Sequence, residues 1–154
     1  MSTSIAMVCI DYGRLPKWFD YFLLSCKANH EYDWYIIIND TVTKLPVDTP
    51  ANVYIINEPV EQFNKRASRC FNISYELTNP YTICDFRPAI GTMYRDFLHA
   101  YKYWGHCDMD IILGKLGSFL SWDVMSEYDI ITTRGRSPKT PNLPRFSGPM
   151  TIYT

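Results

Sequence analysis

The chain has 154 residues, a net charge of −1 and no long run of Lys or Arg, which predicts one domain over residues 1–154 and argues against a nucleic-acid partner. No apolar stretch approaches the length of a transmembrane segment. The five cysteines are odd in number and form no C-x-x-C pair, a pattern typical of free thiols in a reducing compartment, so we expect a cytoplasmic protein.

The first half of the chain alternates apolar strand-like runs with helical patterns. Residues 5–10 form the first predicted strand, which ends in the polar turn 11–13. A helix is predicted to begin at Pro16, because the apolar residues that follow it recur at helical spacing. Two further strands are predicted at 34–38 and 53–56, and a second helix follows them.

The second half has its clearest pattern between residues 85 and 105. Asp85 is predicted to cap a helix here, and Gly105 to end it. After this helix the sequence predicts, in order, a mixed polar and apolar segment at 106–114, a helix at 118–127, a strand at 130–133, a proline-rich loop at 134–149 and a strand at 150–153.

The alternation of strands and helices predicts an α/β fold with a mostly parallel sheet, covered by helices on both faces. In such sheets, ligands bind beyond the carboxyl ends of the strands, at the point where the strand order reverses. This rule directs attention to the polar residues after the first two predicted strands and to the segment around Asp108.

The segment Cys107-Asp108-Met109-Asp110 carries the main candidate for chemistry, a D-x-D element. On an extended chain these two carboxylates point to the same side, and without a partner they repel each other. Mg²⁺ or Mn²⁺ relieves such repulsion, because hard cations prefer oxygen ligands and bridge carboxylates to phosphates. Since apolar sequence flanks the pair, we interpret Asp108 and Asp110 as metal ligands; the alternative is a charged turn in solvent.

The residues around these acids also resemble a known family. The sequence has Asp-Phe-Arg-Pro at 85–88, Tyr-Trp-Gly-His-Cys-Asp-Met-Asp at 103–110 and a glycine at 114. This is similar to the pattern D-F-K/R-P…F-W-G-x-C-D-x-D…G of a family of bacterial glycosyltransferases with the GT-A fold. The resemblance is close over residues 81–133 and looser over most of the chain. It implies a GT-A-like (Rossmann-like) sheet, a nucleotide-sugar donor, with UDP-type donors favoured, and Mn²⁺ or Mg²⁺ held by Asp108 and Asp110.

The resemblance further implies a set of nucleotide-binding residues. Arg87 is expected to pair with the diphosphate or the sugar, Tyr12 to lie against the base, and Asn39 to hydrogen-bond the base or ribose. By their composition, the polar turns after the first two strands are equally compatible with plain turns or caps. The full set of expected nucleotide-binding residues is Asp11, Tyr12, Gly13, Asn39, Asp40, Arg87 and Met109.

Two functions are compatible with these residues. The first is a glycosyltransferase that moves a sugar to an unknown glycan, lipid or protein acceptor, with metal-assisted departure of the nucleoside diphosphate. The second is a non-catalytic nucleotide-sugar-binding module that acts with a partner or as a homo-oligomer. Lys115, where the family often has an acid, and the end of the chain at Thr154, short of the usual length, favour the second. The acids available as a catalytic base are Asp123, Glu127 and Asp129, and the sequence selects none of them.

Overall fold

A computed structural model describes residues 5–13, 15–39, 48–137 and 140–154, with the backbone alone for 134–137 and 140–147. Within these residues the strands are β1 Ile5–Asp11, β2 Asp33–Ile38, β3 Val53–Asn57, β4 Tyr103–Cys107, β5 Ile130–Ser137 and β6 Thr140–Tyr153. The helices are α1 Phe19–Ala28, α2 Val60–Phe71, α3 Ile90–Met93, α4 Arg95–Leu98 and α5 Trp122–Glu127, with 3-10 helices at Pro80–Ala89 and Leu116–Ser118.

The strands form one mixed sheet in the order β3-β2-β1-β4-β6-β5. β1 pairs in parallel with both β2 and β4, and β2 pairs in parallel with β3. β6 is antiparallel to both of its neighbours, β4 and β5. The predicted α/β class is therefore confirmed, and the sheet is partly antiparallel because β6 runs against the other strands.

The sheet is buried on both faces, as is usual for parallel strands in α/β proteins. Along β1, Ile5, Met7 and Cys9 pack into a cluster with α1, whereas Ala6 and Val8 pack into a second cluster with α2 and α3. This separation follows from the two-residue side-chain period of a strand. The sequence prediction that helices cover both faces is confirmed.

The helix predicted between residues 85 and 105 is wrong in its bounds. The chain instead forms the 3-10 helix Pro80–Ala89 and the short helices α3 and α4, and β4 then begins at Tyr103. Pro88 lies inside the 3-10 helix, and its missing N–H disfavours a continuous α-helix at this point. The predicted cap, Asp85, lies within this helix, and Asn79 caps it by accepting a hydrogen bond from the Tyr81 N–H at 3.0 Å.

Gly105 does not end a helix but lies inside β4, opposite Met7 of β1 and Ile152 of β6. A β-carbon at this position would stand 2.5 Å from the Thr151 carbonyl oxygen and 2.8 Å from the Met7 sulfur. Real side chains do not approach so closely, so the glycine serves the packing of β4 between its neighbours.

The proline-rich segment 134–149, predicted as a loop, lies in β5 and β6 wherever it is described. Arg134 pairs with Phe146, and Gly135 pairs with Arg145, with shifts of register between pairs. β4 pairs with β6 over Met150–Tyr153, so the earlier part of β6 has β5 as its paired neighbour. Prolines are tolerated where a strand is paired on one side, which explains how this composition forms a strand. Residues 138 and 139 lie outside the described residues.

The sequence predicted that the five cysteines are free thiols. All five cysteines are free, and Cys9, Cys26 and Cys107 are buried in the cluster beneath α1. Burial raises the pKa of the Cys9 and Cys26 thiols, so they stay protonated and pack as small apolar groups.

Of the helices described, none is both long enough and apolar enough to cross a membrane.

Candidate functional site

A cavity of about 570 Å³ opens beside the carboxyl ends of β1 and β4. These neighbouring strands mark the point where the strand order reverses, because β2 and β3 follow β1 on one side and β4 lies on its other side. Ligands of open α/β sheets bind at such points, in the crevice outside the strand ends. The cavity is lined by residues of β1 and the chain after it, of the 3-10 helix Pro80–Ala89, and of the end of β4 with the segment that follows.

Both acids of the D-x-D element line this cavity. Asp108 directly follows β4, and its backbone N–H donates to the Pro149 carbonyl at 2.8 Å, which fixes the start of the segment against β6. The Asp108 side chain is 29% exposed, and Asp110 is exposed. The two carboxylates therefore border a crevice formed by strand ends and do not sit on an isolated surface turn.

Arg87 contacts the first of these acids from the 3-10 helix. Its Nη2 donates to Oδ1 of Asp108, and the two side chains form an ion pair. Gly148 of β6 lies against the same guanidinium, because a β-carbon on this glycine would stand 2.6 Å from Nη1. A 3-10 helix, the end of β4 and the backbone of β6 thus position Arg87 in the cavity.

The charges of the site are not fully balanced. Burial raises the pKa of the Asp108 carboxyl; the Arg87 guanidinium opposes this rise, and the negative charge of Asp110 adds to it. The net direction is upward, so one guanidinium does not compensate for burial and for the second carboxylate together. An additional positive charge at this position would stabilise the ionised form of Asp108.

A divalent cation fits the chemistry of these donors. Mg²⁺ sites commonly use one or two carboxylates together with phosphate oxygens of a substrate, and two mutually repelling carboxylates offer such a partial set. Across the described residues, no group of three or more His, Cys, Asp or Glu side chains is arranged to hold a metal ion. An ion at Asp108 and Asp110 would therefore need further oxygen ligands from a bound molecule or water.

His106 forms part of the cavity wall behind Asp108. Its ring is 5% exposed, and Nε2 lies 3.3 Å from the Gly148 carbonyl oxygen, so we assign the ring proton to Nε2. Burial and the positive charge of Arg87 lower the pKa of His106 to about 4, which keeps the ring neutral near pH 7. Nδ1 is then a buried acceptor that has no hydrogen-bond partner among the described residues.

The predicted turn 11–13, which begins with the last residue of β1, contributes two of its three residues to the cavity. Asp11 and Tyr12 line it, whereas Gly13 does not. The Gly13 N–H donates to Oδ1 of Asp11 at 2.7 Å, and a β-carbon on Gly13 would stand 2.9 Å from that oxygen. Gly13 therefore lets the turn close on the Asp11 carboxylate and shapes the site indirectly.

Tyr12 is part of a buried polar network behind the cavity. Its hydroxyl donates to Oε1 of Glu58 at 2.8 Å, and the Tyr94 hydroxyl donates to the same oxygen at 2.8 Å. Arg66 donates to the other carboxylate oxygen at 2.8 Å and forms two further hydrogen bonds with Asp96. The network joins the ends of β1 and β3 to α2 and α4. The hydrogen of the Tyr12 hydroxyl is therefore already used in a hydrogen bond within the protein.

The aromatic rings exposed at the cavity are Trp18 and Tyr81, at 45% and 80%. The Trp18 indole N–H donates to the Met109 carbonyl at 3.2 Å, which ties the start of α1 to the D-x-D segment. Tyr81 lies in the first turn of the 3-10 helix, directly after Pro80. Sequence reasoning missed both rings, because nothing in their local pattern distinguishes them from other exposed aromatic residues.

Of the remaining residues predicted for the site, one lines the cavity and the other described ones do not. Met109 lines the cavity and is buried. Asn39 follows β2, one strand away from β1, and does not line the cavity. Asp40 lies outside the described residues. The candidate bases that the sequence offered are all exposed and do not line the cavity either: Asp123, Glu127 and Asp129.

The fold and the cavity define an α/β protein with a charged crevice between the ends of β1 and β4. A family model described as a family of unknown function, DUF6625, matches residues 7–144. Because the match spans most of the chain, the protein belongs to this family. The matched region begins at Met7 within β1 and includes the 3-10 helix Pro80–Ala89 and the D-x-D segment, so it contains every described residue that lines the cavity. No curated protein matches the chain.

Proposed function

We propose that this protein is a GT-A-like glycosyltransferase that binds a nucleotide-sugar in the cavity between β1 and β4 and depends on a divalent cation. The observation that carries the proposal is the meeting of Arg87, Asp108 and Asp110 in one cavity at the carboxyl ends of parallel strands. Nucleotides bind at such strand ends in α/β sheets. Adjacent acidic and basic groups suit a diphosphate that carries a cation.

Each charged residue has a role in this proposal. Asp108 and Asp110 would hold Mn²⁺ or Mg²⁺, which when bound supplies positive charge to the departing diphosphate. Arg87 donates to phosphate oxygens, because a guanidinium pairs with phosphate through two parallel N–H donors. Asp11 and Met109 border the donor, and the buried Tyr12 holds the turn that carries Asp11.

The size and the rim of the cavity support a donor of this class. Small-molecule sites usually span about 300–1,000 Å³, and this cavity, at about 570 Å³, lies within that range. Trp18 and Tyr81 present exposed rings at the cavity, and flat aromatic faces stack on nucleobases and on apolar sugar faces. A UDP-type donor is the first choice for a test.

A second candidate is a module that binds the nucleotide-sugar without transferring it. Asp123, Glu127 and Asp129 do not line the cavity, and the lining acids among the described residues are Asp11, Asp108 and Asp110. If Asp108 and Asp110 hold the cation, Asp11 is the one described lining carboxylate left to act as a base, and its Oδ1 accepts from the Gly13 N–H. This shortage of bases within the described lining favours binding without transfer.

Thermal shift with a panel of UDP-, GDP- and CMP-sugars, each with and without Mn²⁺, tests the proposal. We expect Mn²⁺-dependent stabilisation by at least one donor. Release of free nucleotide in the same samples, through transfer or slow hydrolysis, identifies the enzyme. Stabilisation without release identifies the binding module.

Matched variants locate the effect in the cavity. Asp108→Asn and Asp110→Asn should each abolish the Mn²⁺-dependent part of the shift, because each removes a charged ligand. Asp123→Asn, an equivalent change on the exposed face of α5, should keep it. Stabilisation that survives both Asp108→Asn and Asp110→Asn would contradict a metal-dependent donor site.

A further inference from the structure

We propose that Arg87 makes cation binding depend on the diphosphate: it pairs with Asp108 in the free protein and releases this carboxylate to a cation only when phosphate oxygens take its place. This inference rests on the proposed function, since it concerns the same donor site. It adds that the cation and the diphosphate bind cooperatively: each binds weakly alone, and both bind strongly together.

Asp108 is the acid for which the guanidinium of Arg87 and the divalent cation would compete. Its Oδ1 accepts a hydrogen bond from Arg87, so the carboxylate has a positive partner before any ligand arrives. Asp110 is exposed and takes part in none of the ion pairs found among the described residues. An incoming cation therefore meets one accessible acid and one that is already paired.

Cation binding to Asp108 with Arg87 still in place would bring two positive groups to one carboxylate. The Arg87 and Asp108 side chains are 23% and 29% exposed, so water and salt screen this repulsion only in part. Either the guanidinium moves away and loses its partner, or the cation binds through Asp110 alone. Both outcomes make the affinity for the cation low when no other ligand is present.

A diphosphate removes this conflict. Arginine has five N–H donors, and Asp108 accepts from one of them in the hydrogen bonds of the described residues. Both side chains line the cavity, so phosphate oxygens bound there would meet the remaining N–H donors of Arg87. Linkage then requires the effect to be mutual: if the diphosphate strengthens cation binding, the cation strengthens diphosphate binding by the same factor.

The test measures the dissociation constant of Mn²⁺ alone, from the electron paramagnetic resonance signal of the free ion, for the wild-type protein and for Arg87→Met. We expect the variant to bind Mn²⁺ about tenfold more tightly, a factor typical of coupled sites. UDP, GDP, CDP or ADP, with protein-free titrations to correct for chelation, should then strengthen Mn²⁺ binding to the wild type by a larger factor than Mn²⁺ binding to Arg87→Met, because the variant gains only the phosphate ligands and not the release of Asp108.

Three further variants make the result specific. Arg69→Met, which removes an exposed arginine of α2, should behave as the wild type. Arg87→Lys keeps the positive charge and should keep the affinity for Mn²⁺ alone low. If circular dichroism shows that Arg87→Met is unfolded, Gly148→Ala replaces it, because the added methyl group displaces the guanidinium and should also raise the affinity for Mn²⁺ alone.

The outcomes separate the two proposals. Equal affinities of the wild type and Arg87→Met for Mn²⁺ alone, with nucleotide binding intact in the wild type, would overturn the role of Arg87 and leave the donor site standing. Failure of every nucleoside diphosphate to bind the wild type in the presence of Mn²⁺ would overturn the proposed function and the coupling with it.

Discussion

The backbone of Gly148 in β6 lies directly against the guanidinium of Arg87, with no space for a side chain between them: a β-carbon on Gly148 would stand 2.6 Å from Nη1. The same glycine accepts a hydrogen bond from His106 through its carbonyl oxygen. The antiparallel strand β6 therefore takes part in forming the charged crevice, although the crevice opens at the ends of the parallel strands β1 and β4.

This contact predicts that Gly148→Ala weakens donor binding. The added methyl group must push Arg87 out of its position, and we expect the dissociation constant of the Mn²⁺–nucleotide complex to rise about tenfold, or about 1.4 kcal/mol. Calorimetric titration measures it. Gly114→Ala is the matched control, because a β-carbon at that exposed glycine meets no atom within 4 Å. Equal dissociation constants for both variants would contradict the assigned contact.

The buried carboxylate of Glu58 predicts a large loss of stability when its charge is removed. Glu58 is 4% exposed and accepts hydrogen bonds from Tyr12, Tyr94 and Arg66. Glu58→Ala leaves these donors unpaired, and breaking a buried ion pair on one side costs about 3–5 kcal/mol. Urea unfolding followed by circular dichroism measures the free energy of unfolding. Glu76→Ala, a truncation at an exposed position, should change it by less than about 0.5 kcal/mol.

The outer part of the same network predicts a dependence of stability on pH. Hydrogen bonds from Arg66 lower the pKa of Asp96 below its ordinary value of 3.8. A carboxyl with a lowered pKa in the folded state adds stability above the ordinary pKa, and this stability is lost as the pH falls through the lowered value. The Asp96 side chain is half exposed, so the effect is modest.

Comparison of the wild type with Asp96→Asn isolates this contribution. Urea midpoints at pH 7, 5, 4 and 3 should show that the wild type loses its advantage over the variant only below about pH 4, where Asp96 takes up a proton. If the difference in urea midpoint between the wild type and Asp96→Asn already disappears between pH 7 and 5, a titratable group other than Asp96 is responsible for it.

The exposed ring of Tyr81 predicts a stacking contribution to donor binding. Stacking of a base on an aromatic side chain contributes about 1–3 kcal/mol, so Tyr81→Ala should weaken nucleotide binding about fivefold or more, whereas Tyr81→Phe should keep most of it. Calorimetric titration with the same nucleotide measures both. Tyr128→Ala, at an exposed tyrosine that does not line the cavity, should have no effect. Equal losses for Tyr81→Phe and Tyr81→Ala would assign the effect to the hydroxyl group instead of the ring.

The fold class was predictable from the sequence because its signal is local. Apolar runs of strand length alternate with helical patterns, and the strands at 5–10, 34–38 and 53–56 lie within β1, β2 and β3. The errors arose where local pattern and tertiary packing disagree. Residues 134–149 have the composition of a loop, yet those of them that the structure describes lie in strands, because β6 pairs with β4 and β5.

The candidate site was predictable in part. The sequence singled out Asp108 and Asp110, and both line the cavity. The strand that precedes them, β4, was not predicted, because the pattern up to Gly105 was interpreted as a helix. The ion pair between Arg87 and Asp108 joins residues 21 positions apart, and no periodicity links them. The hydrogen bond of Tyr12 was not predictable for the same reason, since its partner Glu58 is 46 positions away.

The sequence by itself determined the alternation of strands and helices and the presence of two acids after an apolar segment, because both depend on side-chain periods within a few residues. Only the tertiary structure decided which residues meet these acids. The order of strands brings the ends of β1 and β4 together, and β6 and the 3-10 helix then add Gly148 and Arg87. Such meetings depend on how distant segments pack against each other, and packing of this kind leaves no local trace in a single sequence.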